Sequence, residues 1–374
     1  MPVTSTIPLS AVSINQLKIW LLVPQVESDD PNIQYYYDFS QGLDEYKKVF
    51  DELQVDWKYQ PVTVNNFRSV IDQIALSENG RIPFIFNLCD GDEVNHVPGI
   101  SVIHYLTEKK VLFSGSSADF YNLTSSKIIM KKAFERARVS TPKYEIVEKN
   151  EQSIEGIFER LGSPLIVKPA VSGGGSMGIS IKNVVHTEQE LKEQIKLMFE
   201  GYHAWNLSSG GLVVEQFIQG PEFTSFIVGS SDRPGECIHY QPVERIFHSS
   251  LPETEKFLSF DRLWEFYENE TAMPGNESFY EYALPNNGMI SALQKITLDA
   301  YAAVKGSGYA RLDIRMNAVT KKLYVLEVNA QCGLSEDENN TSIGAILRMS
   351  GKSFTQLIYE IVKDSLLKHN ITLF

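Results

Sequence analysis

Two strand-like segments near the C-terminal end, Tyr309–Met316 and Leu323–Asn329, constrain this chain more than any other stretch. They read YARLDIRM and LYVLEVN, and a short polar turn joins them. Residues two apart in a strand share a face, so Arg311 points with Asp313, and Glu327 with Asn329. If the strands pair as neighbours, Asp313, Glu327 and Asn329 converge. Two carboxylates about 4 Å apart repel by roughly 4 kcal/mol at an effective dielectric near 20. A divalent cation removes that penalty, and an all-oxygen set containing an amide suits Mg2+ bridging nucleotide phosphates. A solvated face of mixed charge is the competing reading, and the hairpin alone does not choose between them.

The glycine cluster Gly173-Gly-Gly-Ser-Met-Gly178 is the second constraint. Each glycine costs roughly 0.5–1 kcal/mol of chain entropy relative to alanine, so such a run implies unusual dihedrals or a close backbone approach. The string matches both G-x-G-x-x-G and G-x-S-x-G, but those motifs require a helix directly afterwards. Here Ile179–Val185 (ISIKNVV) reads as a strand, which leaves a flexible loop between strands, preceded by Lys168. Ser350-Gly-Lys-Ser353 resembles the end of a phosphate loop. Position 346 is Ile rather than Gly, and Ser353-Phe-Thr-Gln356 is a capping box, so a helix start is expected there.

The rest of the chain falls into three blocks: 1–114, 115–211 and 212–374. In the first, strand-like Leu17–Val23, Pro83–Leu88 and Val111–Phe113 alternate with helical patterns at Tyr37–Leu53 and Asn65–Leu76. That alternation predicts a parallel sheet covered on both faces. The second block reads as a helix near Ser125–Ala137, a strand at Leu165–Lys168, the glycine loop and a helix over Thr187–Phe199. The third opens with LVVEQFI, EFTSFIVG and ECIHYQPV as successive strands. Phe247–Pro285 shows no periodicity, and a connection that long is functional or disordered. A helix near Gly288–Val304 leads into the hairpin.

The net charge of −13 argues against a nucleic-acid partner, which needs a basic footprint. No run reaches the roughly 18 apolar residues of a membrane span. Met1–Gln16 lacks the basic and apolar regions of a signal peptide. With Cys89, Cys237 and Cys332 widely separated, the expectation is a cytoplasmic protein in a reducing compartment.

Taken in order, these motifs resemble the ATP-grasp superfamily and, within it, the D-alanine–D-alanine ligases. FSGSSADFYNLTSSK is similar to the segment ending in a first nucleotide lysine, here Lys127. LIVKPAVSGGGSMGIS looks like the strand with the second lysine, Lys168, followed by the phosphate-covering loop with Gly174, Gly175 and Ser176. VVEQFIQGPEFT resembles the adenine hinge. The resemblance implies that Glu215 accepts from the adenine amino group, Phe217 and Ile218 line its pocket, and Glu222 holds a ribose hydroxyl. It places Asp313, Glu327 and Asn329 on Mg2+, as two ions, with Mn2+ as an alternative. Arg311 would lie beside the reacting phosphoryl group, and the Gly333 N–H would face the developing oxyanion.

The implied fold is α/β, with α+β character in the ATP-grasp part. An N-terminal parallel α/β domain (1–114) would precede a lid subdomain (115–211) and a catalytic subdomain (212–374). The implied activity is ATP-dependent joining of a small-molecule carboxylate to an amine through an acyl phosphate. Catalysis would rest on Arg311, Gly333 and Lys168, in a homodimer. The glycine loop and Phe247–Pro285 would close as lids, with Arg262 or Lys256 as a further phosphate contact.

The chain departs from the family pattern where substrates are chosen. VPQVESDDPNIQ, with Glu27 and Ser28, stands in place of the Glu-x-Glu-Val-Ser signature. Asn87-Leu-Cys-Asp-Gly91 replaces the His-Gly segment, and three glycines replace the loop's Glu-Gly-Ser-Ser. Thr341 or Ser342 stands for the carboxylate-binding serine. Two alternatives follow: a ligase acting on a specialised-metabolite acid or amine, and a non-catalytic ATP-binding regulator.

Overall fold

The computed structural model describes residues 11–27, 38–76, 80–171, 176–202, 205–265, 267 and 270–374. The first block forms a parallel sheet of β1 (Leu17–Pro24), β2 (Asp56–Val62), β3 (Ile82–Asn87) and β4 (Leu112–Phe113), in spatial order β2-β1-β3-β4. Helices α1 (Leu43–Glu52), α2 (Phe67–Ala75) and α3 (Ile100–Lys109) alternate with these strands. β1 is buried along most of its length, as a strand covered on both faces must be.

In the second block, helix α4 (Ala118–Thr124) precedes α5 (Lys127–Ala137), where the sequence suggested one helix. Strands β5 (Tyr144–Val147), β6 (Leu165–Pro169), β7 (Val184–Val185) and β8 (Leu212–Gln216) make an antiparallel sheet in order β5-β8-β6-β7. The expected strand Ile179–Val185 is mostly not one. Ser180 caps a 3-10 turn at Ile181–Asn183, accepting from Lys182 N, and strand pairing is confined to Val184–Val185. A serine three residues before an asparagine diverted the local backbone into a turn.

The third block is an antiparallel sheet in the order Tyr280–Ala283, Val243–Phe247, Glu222–Ser230, Ser307–Met316, Leu323–Ala330, with β10 (Ile238–His239) paired to Glu222–Ser230. Its strands are β9 (Glu222–Ser230), β11 (Val243–Phe247), β12 (Tyr280–Ala283), β13 (Ser307–Met316) and β14 (Leu323–Ala330). β12 was not foreseen: the aperiodic stretch after Phe247 holds short helical turns and returns to pair with β11. The last helix, Phe354–Leu367, starts at the expected capping box. Ser353 Oγ accepts from Gln356 N at 3.1 Å and Gln356 Oε1 from Ser353 N at 3.0 Å. Ser353→Ala should therefore lower stability by about 1 kcal/mol without changing nucleotide affinity, as equilibrium denaturation and a nucleotide titration would read.

A core with Leu22, Ile71, Ile85 and Leu106 lies within the first block, and three larger ones fix how the sheets sit. One joins β1, β3 and α1 to Phe226 and Val228 of β9 and to the two C-terminal helices, so the first and third blocks share an interior. A second packs Met130, Ala133 and Phe134 of α5 against Phe223, Leu312, Val325 and Val328. The third, from Val147 to Val214, belongs to the small four-stranded sheet alone. The chain crosses into and out of that small unit at two places, and both are hydrogen-bonded to the β13–β14 hairpin and the turn that joins its strands. Val325 N donates to Ser140 O at 2.8 Å, Ala318 N to Gln219 O at 2.9 Å and Met316 N to Pro221 O at 3.0 Å. Among the described residues no helix is long and apolar enough to cross a membrane.

Candidate active site

The β13–β14 hairpin pairs in the register that brings its charged residues together. Asp313 lies opposite Glu327 and Arg311 opposite Asn329, with an irregularity between Asp313 and Ile314. Directly opposed residues of an antiparallel pair share a face, so all four side chains occupy one side. Asp313 Oδ2 accepts from Arg311 Nη2 at 3.1 Å and from Asn329 Nδ2 at 3.0 Å, and Thr224 Oγ1 reaches its other oxygen at 3.4 Å. Lys127 Nζ lies 3.3 Å from Glu327 Oε2. Burial lifts the Asp313 carboxyl above its usual range, against the Arg311 charge. Burial also acts on Glu327, but Lys127, Lys168 and Arg311 together pull its carboxyl down to about 2.

A second cluster lies between the small sheet and α5. Glu215 of β8 sits between Lys168 Nζ, at 2.7 Å from Oε1, and Lys131 Nζ, at 2.5 Å from Oε2. Glu215 and Lys131 side chains are each only 1% exposed. Despite burial, the two lysines hold the Glu215 carboxyl down to about 2. Glu215 therefore anchors lysines. The adenine contact expected of its carboxylate is not free in this geometry, because both oxygens are engaged.

Glu222 has a parallel fate. Its oxygens are bound by Arg245, across from it on β11, and by Arg315, across from it on β13. The ribose contact expected of Glu222 would have to share a carboxylate already between two guanidiniums. Arg315 also donates to Ile218 O at 2.9 Å and stacks over the Phe217 ring at 4.9 Å. Phe217 meets Phe257 edge-on at 5.8 Å between centroids, within an apolar cluster with Ile166 and Val184. Phe217 and Ile218 are thus where an apolar base could lie.

Gly174 and Gly175 lie outside the described residues, as does Ser28. Ser176, directly after the glycines, donates to Leu258 O at 3.2 Å, and Phe260 N donates to Ile179 O at 2.8 Å. The end of the glycine loop and the segment after β11 therefore rest on each other. Arg262, one candidate phosphate contact, is instead buried between Glu255 and Glu270 and stacked on Phe279. Lys256 pairs with Glu253 at 2.5 Å. Gly333 follows the sharp turn at Gln331 (φ 56°), and nothing lies within 4 Å of where a side chain would stand on it. Thr341 spends its hydroxyl capping the next helix, accepting from Gly344 N and donating to Asp337 O. Glu27 is engaged by Asn65 Nδ2 at 3.0 Å.

Sequence reasoning missed Lys131, Arg245, Arg315 and Thr224. Arg315 carried a usable signal, since it follows Asp313 by two residues and shares its face. Arg245 and Thr224 join the site only through strand pairings that the local pattern does not encode.

A family model described as the C-terminus of D-ala D-ala ligase matches residues 134–363, more than half of the chain. The chain belongs to the D-Ala–D-Ala ligase family. As a member of that family it is an ATP-dependent, ADP-forming ligase that makes a C–N bond. The D-alanine–D-alanine ligase of Polaromonas naphthalenivorans is 28% identical over 260 residues, covering 69% of this chain and 70% of that relative. That of Desulfotalea psychrophila is 34% identical over 182 residues, covering 49% and 48%. A crystal structure of D-alanine–D-alanine ligase from Bacillus anthracis superposes with a TM-score of 0.66 at 20% identity, over 94% of this chain and 98% of that one. The same ligase complexed with ATP gives 0.65 at 18% identity. At that identity the likeness carries the family's three-part ATP-grasp fold.

Proposed function

We propose that this ligase phosphorylates an amino acid carboxylate with ATP and joins the acyl phosphate to the amine of a second amino acid, with D-alanine as the leading substrate. The observation that supports this most is the convergence of Arg311, Asp313, Glu327 and Asn329 on one face of the hairpin. Lys127 and Lys168 reach the same site from α5 and β6. The adenine would lie against Phe217 and Ile218, with the polypeptide backbone of that hinge, rather than the Glu215 carboxylate, meeting its edge. Gly174, Gly175 and Ser176 would cover the phosphates.

Asp313, Glu327 and Asn329 fit Mg2+. Asp313 and Glu327 face each other across the strands with the Asn329 amide beside them, hard oxygen donors whose mutual repulsion a cation would relieve. Such a set leaves room for the water and phosphate oxygens that Mg2+ keeps. Bound there, the ion would neutralise charge on the β- and γ-phosphates. Lys168 and Arg311 would stabilise the transferring group, as fixed charges in a water-poor site do. Arg311 and the Gly333 N–H would then face the tetrahedral oxyanion during amine attack. Within this reading the three-unit division stands, with the expected boundary after residue 211 moved so that Leu212–Gln216, a central strand of the small sheet, joins the lid unit, and the protein acts as a homodimer.

A ligase for a specialised acid or amine remains the second reading, favoured by one observation: Glu27, in the place of the family signature, is tied to Asn65. Phosphate release from Mg-ATP, screened with single and paired D- and L-amino acids, separates the readings. Release with D-alanine alone supports the first. Release only with another pair supports the second. Silence across the panel, with ATP still bound, overturns both.

A further inference from the structure

The loop after β3 is built with unusual care for a segment that the known chemistry leaves without a task. Asn87, fully buried, accepts from Cys89 N at 3.1 Å. Gln331 Nε2 donates to Cys89 O at 2.9 Å, and Tyr121 Oη to Gly91 O at 2.9 Å. A side chain at Gly91 would collide with Val97 at 2.1 Å, so only glycine lets the loop fold this tightly. These ties lock Cys89 to Gln331. Asp90 is the next residue on one side of that lock, and Cys332 and Gly333 follow on the other.

The lock fixes Asp90 against the oxyanion end of the site. Its carboxylate lies within electrostatic reach of Arg311 of β13 and of Cys332. Tyr46 of α1, Tyr121 of α4 and Tyr309 of β13 surround it as well. Burial holds those phenols and the Cys332 thiol in their neutral forms. Arg311 is thus the charge that answers Asp90, yet Arg311 gives its hydrogen bond to Asp313. Asp90 is partly exposed rather than sealed. Among the described residues, no side chain hydrogen-bonds to it. A carboxylate held rigidly, open to the site and not consumed by an ion pair is available to a ligand.

An amine arrives at neutral pH as an ammonium ion and must lose a proton before its nitrogen can attack. We propose that Asp90 is the proton acceptor for the amine nucleophile of the ligation. The proposal rests on the ligase reading above. Asp90 takes H+ from R–NH3+, leaving R–NH2 and a neutral carboxylic acid. The nitrogen lone pair then forms the C–N bond at the acyl carbon. The bond from that carbon to the phosphate oxygen breaks, and phosphate leaves with its electron pair. The second amine proton passes to the departing phosphate as the tetrahedral intermediate collapses, and Asp90 then returns its proton to solvent. Burial, opposed by its own backbone N–H and by Arg311, brings the Asp90 carboxyl up to about 7. An acceptor near the working pH is the efficient choice for such a transfer.

The test compares two nucleophiles in wild type, Asp90→Asn and Asp90→Glu. Wild type, screened with Mg-ATP against D- and L-amino acids, defines the acid and amine used. Hydroxylamine replaces the amine in the second arm; it is largely unprotonated at neutral pH and needs no base to form the hydroxamate. Asp90→Asn should lose amide formation by about 10²–10⁴-fold while its hydroxamate formation stays near the wild-type rate. Asp90→Glu, which keeps a carboxylate, should recover part of the loss. Parallel losses with both nucleophiles, or unchanged amide formation, overturn the proposal while the ligase reading stands. A wild type inert to the whole panel overturns that reading and the proposal together.

Discussion

Arg311→Met should lower kcat by about a thousandfold and change ATP affinity by only a few-fold. Arg311 is the hairpin cation that touches the carboxylate pair, opposite Asn329 and hydrogen-bonded through Nη2 to Asp313. Its Nε is buried without a partner, a donor with capacity left for an oxygen that is absent until substrate binds. Charge appears on the transferring phosphoryl group and then on the tetrahedral oxyanion, so a fixed guanidinium there acts mainly in the transition state. Loss of a transition-state contact lowers kcat and kcat/KM together. The substitution also removes the charge opposing Asp313, so the comparison requires melting curves for both proteins. Steady-state phosphate release with full nucleotide saturation measures the effect. A large rise in KM for ATP with kcat preserved would assign Arg311 to ground-state nucleotide binding instead.

Glu215→Gln should produce the largest loss of stability, about 3–5 kcal/mol. The substitution keeps the shape of the side chain and removes the charge. Lys131, 1% exposed, then holds an ammonium with no carboxylate beside it, and the desolvation of that ion is no longer offset. Denaturant titration of the two proteins reads this directly. The same carboxylate has a pH signature. Its folded value of about 2 lies below its usual 4.5. It therefore contributes stability in full above the unfolded value, and that contribution is lost as pH falls from about 4.5 towards 2. Glu327, also held at about 2, adds to the same window. Wild-type stability should fall steeply there, and Glu215→Gln should show a shallower slope. Equal slopes would mean that the Lys131–Glu215–Lys168 cluster is already disrupted at neutral pH.

The hairpin was legible because its information is local. Period-2 alternation fixes which side chains share a face, and a short turn makes neighbours of the strands. Asp313, Glu327 and Asn329 could therefore be grouped from the residues alone. The parallel sheet of the first block was legible for a similar reason, since short apolar runs alternate with helical patterns. Glu215 and Glu222 were placed correctly on their strands, but their partners were not visible. Lys131 reaches Glu215 from a helix some eighty positions earlier, and Arg245 reaches Glu222 through a strand pairing. Ile179–Val185 misled because Ser180 and Asn183 make a turn whose hydrogen bonds outweigh the β-branched residues around them. Asp90 was noted only as a departure from a family pattern. Its interest depends on a loop tied to Gln331, over two hundred residues away.

The small sheet has its own interior, whereas the first and third blocks share one. Mechanically, the molecule is a stiff frame carrying a separate lever. The lever's fulcrum is the hairpin unit itself, since Val325, Ala318 and Met316 hold the two crossings by backbone hydrogen bonds. Lys168 rides on the lever, while Asp313 and Arg311 belong to the frame. A swing of that arm would leave the three larger cores intact and part only the small apolar clusters at Phe217–Phe257 and Met177–Phe260, and it would change the spacing between the lysine and the hairpin charges. Closing over the nucleotide and aligning the groups that act on it are then a single displacement, and a stiffer fulcrum would slow both.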